Sequence, residues 1–386
     1  MSISKKISLA AIVILLSGIS GITADRFIFP HLQSTDFFSK SKFLSSLSDD
    51  VTVINKTEQV YIKEESSLNK IASQSASSVV NIAYFPDPDR KAVTQAKNQQ
   101  QAPFPKNRTG VIVTSDGMIM TYLNETDPKS FKYVVLTGDG NSYDATLLDV
   151  DSYSNLAFLK IEAANLPVVS FGNSDDAKAG EKIVTIGNSF GEYGNSFASG
   201  ILRDFNPAFN IAGKSISSSE KLEGVFESDI DNLEIFIGGP VVDYSSQVIG
   251  INGETQIDGK TVSFQIPSNK VRTIIDKEIR KDIANNADLG IYYVPITKTY
   301  ALANRLKVTA GALIYSASGQ QGLAIIADSP ADKAGLRMGD IITAVSGEKI
   351  ASGKSLSDII YGHKTGDRIE LTLIRNGEEM TVPITL

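Results

Sequence analysis

The chain has 386 residues, with hydrophobic residues at 42%, charged residues at 21% and a formal net charge of -7. At roughly 100 to 200 residues per domain this implies two or three domains, and the composition excludes wholesale disorder. The acidic balance lacks the basic footprint of nucleic-acid binding, and nucleic acid is excluded as a partner. With no cysteine there are no disulfides, no thiol chemistry and no zinc site built on sulfur. The two histidines are His31 and His363.

In chain order, Lys5 and Lys6 precede an apolar run from Ile7 to Ala24. As a helix rising 1.5 Å per residue it would span roughly 27 Å, close to a bilayer core. An uncleaved anchor is preferred to a cleaved signal peptide, whose small-residue exit is met only weakly by Ile22-Thr23-Ala24. The two lysines place the N-terminus in the cytoplasm and the bulk of the chain on the extracytoplasmic side of the cell membrane. Residues 1–25 are therefore expected to be a cytoplasmic tip and transmembrane signal-anchor. Residues 26–65, Ser-rich and without sustained period, are expected to be a stalk.

From 66 onward the chain reads as folded. VVNIAYF has strand character, and 86–108, rich in Pro, Gln and charge, reads as a surface loop. From Thr109 to Ser268 short β-branched runs alternate with glycine turns (GVIVTSDGMIMTYL, LAFLKI, EKIVTIGN, GVFESD, PVVDYSSQVIGING, TVSFQIP), an all-β pattern of sandwich or barrel type. Residues 269–286 place Val271, Ile274, Ile275 and Ile279 on one face and predict an amphipathic connector helix. The last segment, 281–386, predicts short strands with one helix starting at Ser329-Pro330-Ala331 and another over Ser355 to Tyr361.

The motifs TGVIVTSDGMIMT, NLAFLKIE, FGNSDDAKAGEKIVTIGNSFG, ASGILRDF, GVFESDIDN, GGPVVDYSSQVIGING and FQIPSNKV occur in this order. Together they resemble the HtrA/Deg family of trypsin-like serine proteases, with a C-terminal PDZ domain, from about Ser66 to Leu386. The resemblance implies a mainly β fold: a trypsin-like double six-stranded β-barrel over 66–280, its active site between the barrels, followed by an α+β PDZ domain over 281–386, with the N-terminal transmembrane helix ahead of both. It implies no cofactor and no metal.

Carried over position by position, the resemblance meets substitutions. The strand G-Y-I-L-T-N-x-H-V reads GMIMTYLNE here, so Asn124 stands at the general base. D-L-A-V-L-K reads NLAFLK, which puts Asn155 at the orienting carboxylate. N-P-G-N-S-G-G-P reads LEIFIGGP, which puts Ile237 at the nucleophile. Asparagine has no pKa near neutrality and isoleucine no lone pair, so proton transfer and attack fail independently. Ile235 and Phe236 suit the oxyanion turn poorly, since β-branched residues disfavour positive φ. Neither histidine lies within 66–280, so a Ser-His-Asp triad there is impossible. Ile235, Phe236 and Ile237 are expected to plug the cleft, with an apolar peptide patch as the other reading. Glu227, Asp229, Asp231 and Glu234 are expected to be a solvated acidic face rather than a cation site.

The closing stretches SPADKAGLRMGDIITAVSGEKI and KTGDRIELTLIRNGEEMTVPITL resemble a PDZ domain of the HtrA type. The resemblance implies a carboxylate-receiving turn at Leu289, Gly290 and Ile291, an accepting strand at Tyr292 and Tyr293, and a groove wall at Leu356, Ile359 and Ile360. For the wall residues an ordinary core role stays equally open.

The expectation is a membrane-anchored pseudoprotease that binds peptides or unfolded proteins through its PDZ groove, in envelope protein quality control, sensing or scaffolding. A homo- or hetero-trimer is implied by the family. The alternatives are an active serine-type endopeptidase with a non-standard catalytic site, and a barrel pair that serves only as a spacer.

Overall fold

The computed structural model describes residues 16, 17, 20, 70, 71, 74–87, 106–188, 194–212, 216–230, 234–257, 259–320 and 323–386. Contacts divide the chain into Met1–Ser66 and Ser67–Leu386. Of the first unit only Leu16, Ser17 and Ser20 are described, all helical. The expected anchor otherwise lies outside the described residues, as do the stalk and most of the loop after Pro86. Among the described residues no helix is long and apolar enough to cross a membrane.

The second unit begins with two closed six-stranded barrels. The first is built from β1 (Val79–Pro86), β2 (Lys106–Ile112), β3 (Met118–Tyr122), β4 (Phe131–Leu136), β5 (Ser142–Val150) and β6 (Leu156–Lys160), closing in the order β1-β2-β3-β6-β5-β4. Val80, Ile82, Tyr84, Ile119 and Leu159 fill its interior. The second uses β7 (Lys182–Asn188) and β8 (Asn195–Asn210); the chain then leaves it for a two-residue strand, β9 (Ser217–Ser218). It returns through β10 (Glu223–Ser228), β11 (Pro240–Val242), β12 (Val248–Ile257) and β13 (Lys260–Pro267). A continuous core containing Tyr122, Phe158, Ile237 and Phe264 joins the two barrels.

Helix α1 (Ser268–Ile279) follows directly. It is shorter than the expected 269–286, which continues as a single 3-10 turn, Ile283–Asn285. Val271, Ile274 and Ile275 are buried as expected, but Ile279 is 57% exposed. The buried stripe runs 271, 274, 275, 278, so the helical period carries Glu278 inward and leaves Ile279 outside.

The remaining chain forms a seven-stranded sheet with β14 (Tyr292–Ile296), β15 (Gly311–Ile314), β16 (Ile341–Val345), β17 (Glu348–Lys349), β18 (Arg368–Arg375) and β19 (Glu378–Thr385). Its order is β19-β18-β16-β15-β14-β9, with β17 paired to β16. The short helix α2 (Lys298–Ala303), capped by Thr297, was not anticipated. Helix α3 (Pro330–Lys333) starts at its Ser329 cap, and α4 (Leu356–Tyr361) at a Ser355/Asp358 capping box.

Helix α4 is gripped by the barrels. The Tyr153 ring, from the β5–β6 connection, stacks on Tyr361 with centroids 4.1 Å apart, and the Tyr153 hydroxyl donates to Asp358 at 2.8 Å. Lys270 pairs with Asp358 at 2.7 Å, and the Lys277 ammonium sits 4.0 Å from the Tyr361 ring centre. Aromatic stacking with a cation on the ring makes Tyr361 the anchor of this docking. Replacing it, Tyr361→Ala, should cost about 3 to 5 kcal/mol in chemical denaturation. It should also expose 280–290 to limited proteolysis before the barrels melt.

Candidate functional site

Asn155 and Gly238, the neighbour of Ile237, both lie against Tyr122 at the end of β3, two residues before Asn124. Asn124 is exposed just past β3. Asn155, in the left-handed region at φ 62, accepts from the Leu123 N–H at 3.0 Å and donates its amide to the Tyr122 hydroxyl at 3.2 Å. Asparagine tolerates that conformation better than most residues. Ile237 is fully buried, and its carbonyl accepts from the Thr109 N–H at 3.0 Å. Gly238 follows at φ +80, where a Cβ would stand 2.2 Å from the Thr109 carbonyl and 2.9 Å from the Tyr122 nitrogen. Only glycine fits there.

Residues Glu234–Phe236 form a 3-10 turn. The Ile237 N–H is spent on the Glu234 carbonyl at 3.2 Å and the Gly239 N–H on that of Phe236 at 2.9 Å. Donors engaged in this way do not point at a cleft oxygen. Phe236 is 5% exposed and packed as core like Ile237, whereas Ile235 is only half-buried, so two of the three apolar residues of the expected plug are enclosed. Arg108, which sequence reading passed over, bridges Glu234 at 3.0 Å and Glu254 at 2.9 Å beside this turn. The acidic residues are engaged separately: Glu227 accepts from the Asn206 amide, Asp229 from the Ile201 N–H, and Glu234 pairs with Arg108. Asp231 lies outside the described residues.

The second set of positions gathers in the third sheet. Leu289, Ile291, Tyr293, Leu356, Ile359 and Ile360 share one hydrophobic core. Gly290 has φ +78, and a Cβ there would stand 2.3 Å from that of Ser329. The edge of β14 away from β15 is paired with β9, Tyr292 opposite Ser218 and Tyr293 opposite Ser217. Beyond it the Ser219 N–H donates to the Ile291 carbonyl at 3.1 Å, the Ile291 N–H to the Ser219 hydroxyl at 3.1 Å, and the Gly290 N–H to Glu220 Oε1 at 2.9 Å. A cavity of about 440 Å³ continues between β14 and α4, lined by Glu223, Tyr293, Ile296, Ile350 and Leu356.

Charge is managed tightly here. Burial opposes ionisation of Glu220, but hydrogen bonds from Asp288, Ser219, Ser218 and the Gly290 N–H outweigh it and hold its carboxyl below the usual range. Asp288 is pushed up to about 7, by burial first and then by the hydrogen bond and charge of Glu220. Glu223, only 2% exposed, is also pushed up to about 7, chiefly by burial. The Ser217 and Tyr293 hydroxyls and Lys270 pull against that rise, and Asp358 adds to it. Neither Glu220 nor Glu223 was legible as a site residue, because nothing in SISSSEKLEG marks its carboxylates as internal.

A trypsin-like peptidase domain model matches residues 108–251 and a PDZ domain model residues 287–386. A probable periplasmic serine endoprotease, DegP-like, of Chlamydia muridarum is 28% identical over 352 residues, covering 82% of this chain and 67% of that protein. A protein of the same description from Marinomonas sp. is 31% identical over 281 residues, covering 72% of this chain and 56% of that protein. Among solved structures, the HtrA-type protease AlgW with a tripeptide aligns at a TM-score of 0.61 and 23% identity, over 82% of this chain and 95% of that one.

The Glu223 environment has a consequence for stability. Between its ordinary value of 4.5 and about 7 the folded chain holds a proton that the unfolded chain has released. Stability contributed by this group is therefore present at low pH and lost as pH rises through that window, by about 3 kcal/mol in all. Relative to the unmodified chain, Glu223→Gln should raise the melting temperature at pH 8, leave it nearly unchanged at pH 4, and flatten the profile between.

Proposed function

The chain belongs to the HtrA family, and from that membership we propose that it is a pseudoprotease, a member that does not cleave and acts by binding peptide or unfolded-protein segments at its PDZ groove. Asn124, Asn155 and Ile237 carry this reading. The three positions that would hold base, orienting acid and nucleophile contain no titrating group and no nucleophile. No histidine lies between residues 66 and 280 to serve in their place. The buried Ile237 and the turn whose Ile237 and Gly239 N–H groups are internally bonded support it further.

In this proposal the double barrel spans 66–280 and the PDZ domain 281–386. Leu289, Gly290 and Ile291 receive a carboxylate, Tyr292 and Tyr293 offer the accepting strand, and Leu356, Ile359 and Ile360 form the far wall. That the Gly290 N–H already holds a carboxylate oxygen supports the role of the turn. The apolar run at 7–24 supports a single N-terminal anchor, and the description of relatives as periplasmic supports an extracytoplasmic location for the bulk of the chain. A role in envelope protein quality control, sensing or scaffolding follows from binding without cleavage, in a homo- or hetero-trimer if the family's assembly is retained. Substituting Gly290 is a poor probe of the groove, because its positive φ and the nearby Ser329 would distort the turn itself.

The unmodified 386-residue chain should release no fragments from fluorescein-labelled casein above a mock preparation, and cleavage by it would overturn the proposal. Restoring all three positions, Asn124→His, Asn155→Asp and Ile237→Ser, tests how much of the site survives. Ile237→Ser alone should cost about 3 kcal/mol of stability, because it removes a fully buried side chain and leaves a hydroxyl in its place.

A further inference from the structure

The segment Ser217–Glu220 lies against β14 as a peptide ligand would. Its residues step along the accepting strand one for one: Ser217 opposite Tyr293, Ser218 opposite Tyr292, Ser219 bonded to Ile291 and Glu220 to Gly290. Chain direction and register are therefore those of a peptide whose terminal carboxylate reaches the Gly290 N–H. Serine has little strand preference of its own, so this strand state is imposed by β14.

The end of the segment is not a terminus. The chain continues to Lys221, and the Glu220 side chain supplies the carboxylate. It accepts from the Gly290 N–H at 2.9 Å and from the Ser218 hydroxyl at 2.7 Å, and the Ser219 hydroxyl is also bonded to it. The Ser219 hydroxyl also touches both the N–H and the carbonyl of Ile291, so the backbone groups of the turn are satisfied from within the chain.

We propose that Ser217–Glu220 is a tethered ligand of the PDZ groove, with the Glu220 side-chain carboxylate standing in for the C-terminal carboxylate of a partner. The partner is then an extended segment with a free C-terminal carboxylate, and it binds by displacing this segment. This rests on the groove reading above and adds its occupant and its competitor.

The test is fluorescence anisotropy on the full chain with fluorescein-labelled decapeptides ending in Val, Leu or Phe, each as free carboxylate and as carboxamide. Glu220→Gln removes the competing charge, and Ser219→Pro removes the N–H donated to Ile291. The double variant should bind the carboxylate peptides about tenfold more tightly than the unmodified chain, and to both chains each carboxamide should bind more weakly than its carboxylate. Equal affinity of variant and unmodified chain for the carboxylates would overturn the tethered ligand and leave the groove standing. No binding by either chain would overturn the groove reading and this inference with it.

Because Ser219→Pro could perturb folding, amide hydrogen exchange on the unmodified chain gives a second reading. Gly290 and Ile291 should be protected without peptide. Saturating carboxylate peptide should release the Ser219 amide while Gly290 stays protected. Fast exchange at Gly290 in the free chain would overturn the inference.

Discussion

A closed barrel has no free strand edge, whereas an open sheet presents rows of unpaired N–H and C=O groups that attract any extended chain. The two barrels of this protein settle that problem by closure, and the third sheet settles it at β14 by borrowing β9. This pairing organises much of what surrounds it. It draws Glu220 to the Gly290 turn, sets Glu223 beside Tyr293 in the adjoining cavity, and accompanies the grip of Tyr153 and Lys270 on α4. Burying carboxylates is costly unless they are hydrogen-bonded or protonated. Glu220 takes the first course, and Glu223 and Asp288 are pushed toward the second.

The cleft between the barrels is organised by a different residue. Thr109, on β2, donates its N–H to Ile237 and its hydroxyl to Ile235, and accepts from the Asn188 N–H of the second barrel. One side chain thus ties both barrels to the turn that carries Ile237. The Ile237 side chain then does what a core residue does, sharing one core with Tyr122, Phe158 and Phe264. The Ile237 and Gly239 N–H groups are engaged within this turn.

Much of the architecture was legible because its signals are local. Alternating β-branched runs and glycine turns mark the barrel strands, and Ser329 and Ser355 mark the starts of α3 and α4 through their capping hydroxyls. What was missed depends on partners distant in sequence. Ser217–Ser218 has no strand pattern and becomes β9 only by meeting Tyr292 and Tyr293. Glu223 looks like an ordinary surface charge until the fold encloses it. Ile279 fits the apolar face on paper, yet α1 ends there and turns Glu278 inward. Asn124, Asn155 and Ile237 were readable as residue types. That Ile237 is fully enclosed, and that the N–H groups around it are engaged, required the packed structure.

The tether itself sets a scale. Ser217–Glu220 sits between β8 and β10 on short connections, and the Asn210 amide holds the carbonyls of Ser218 and Lys221 at 3.3 and 3.1 Å. A segment linked this closely competes with an effective concentration on the order of millimolar, and pre-shaping raises its advantage further. Stray C-termini at low abundance lose that contest. Termini that accumulate, or that arrive clustered on one aggregate, can win it. The groove would then respond to how much of a ligand is present rather than to its mere presence, a threshold written into the length of a loop.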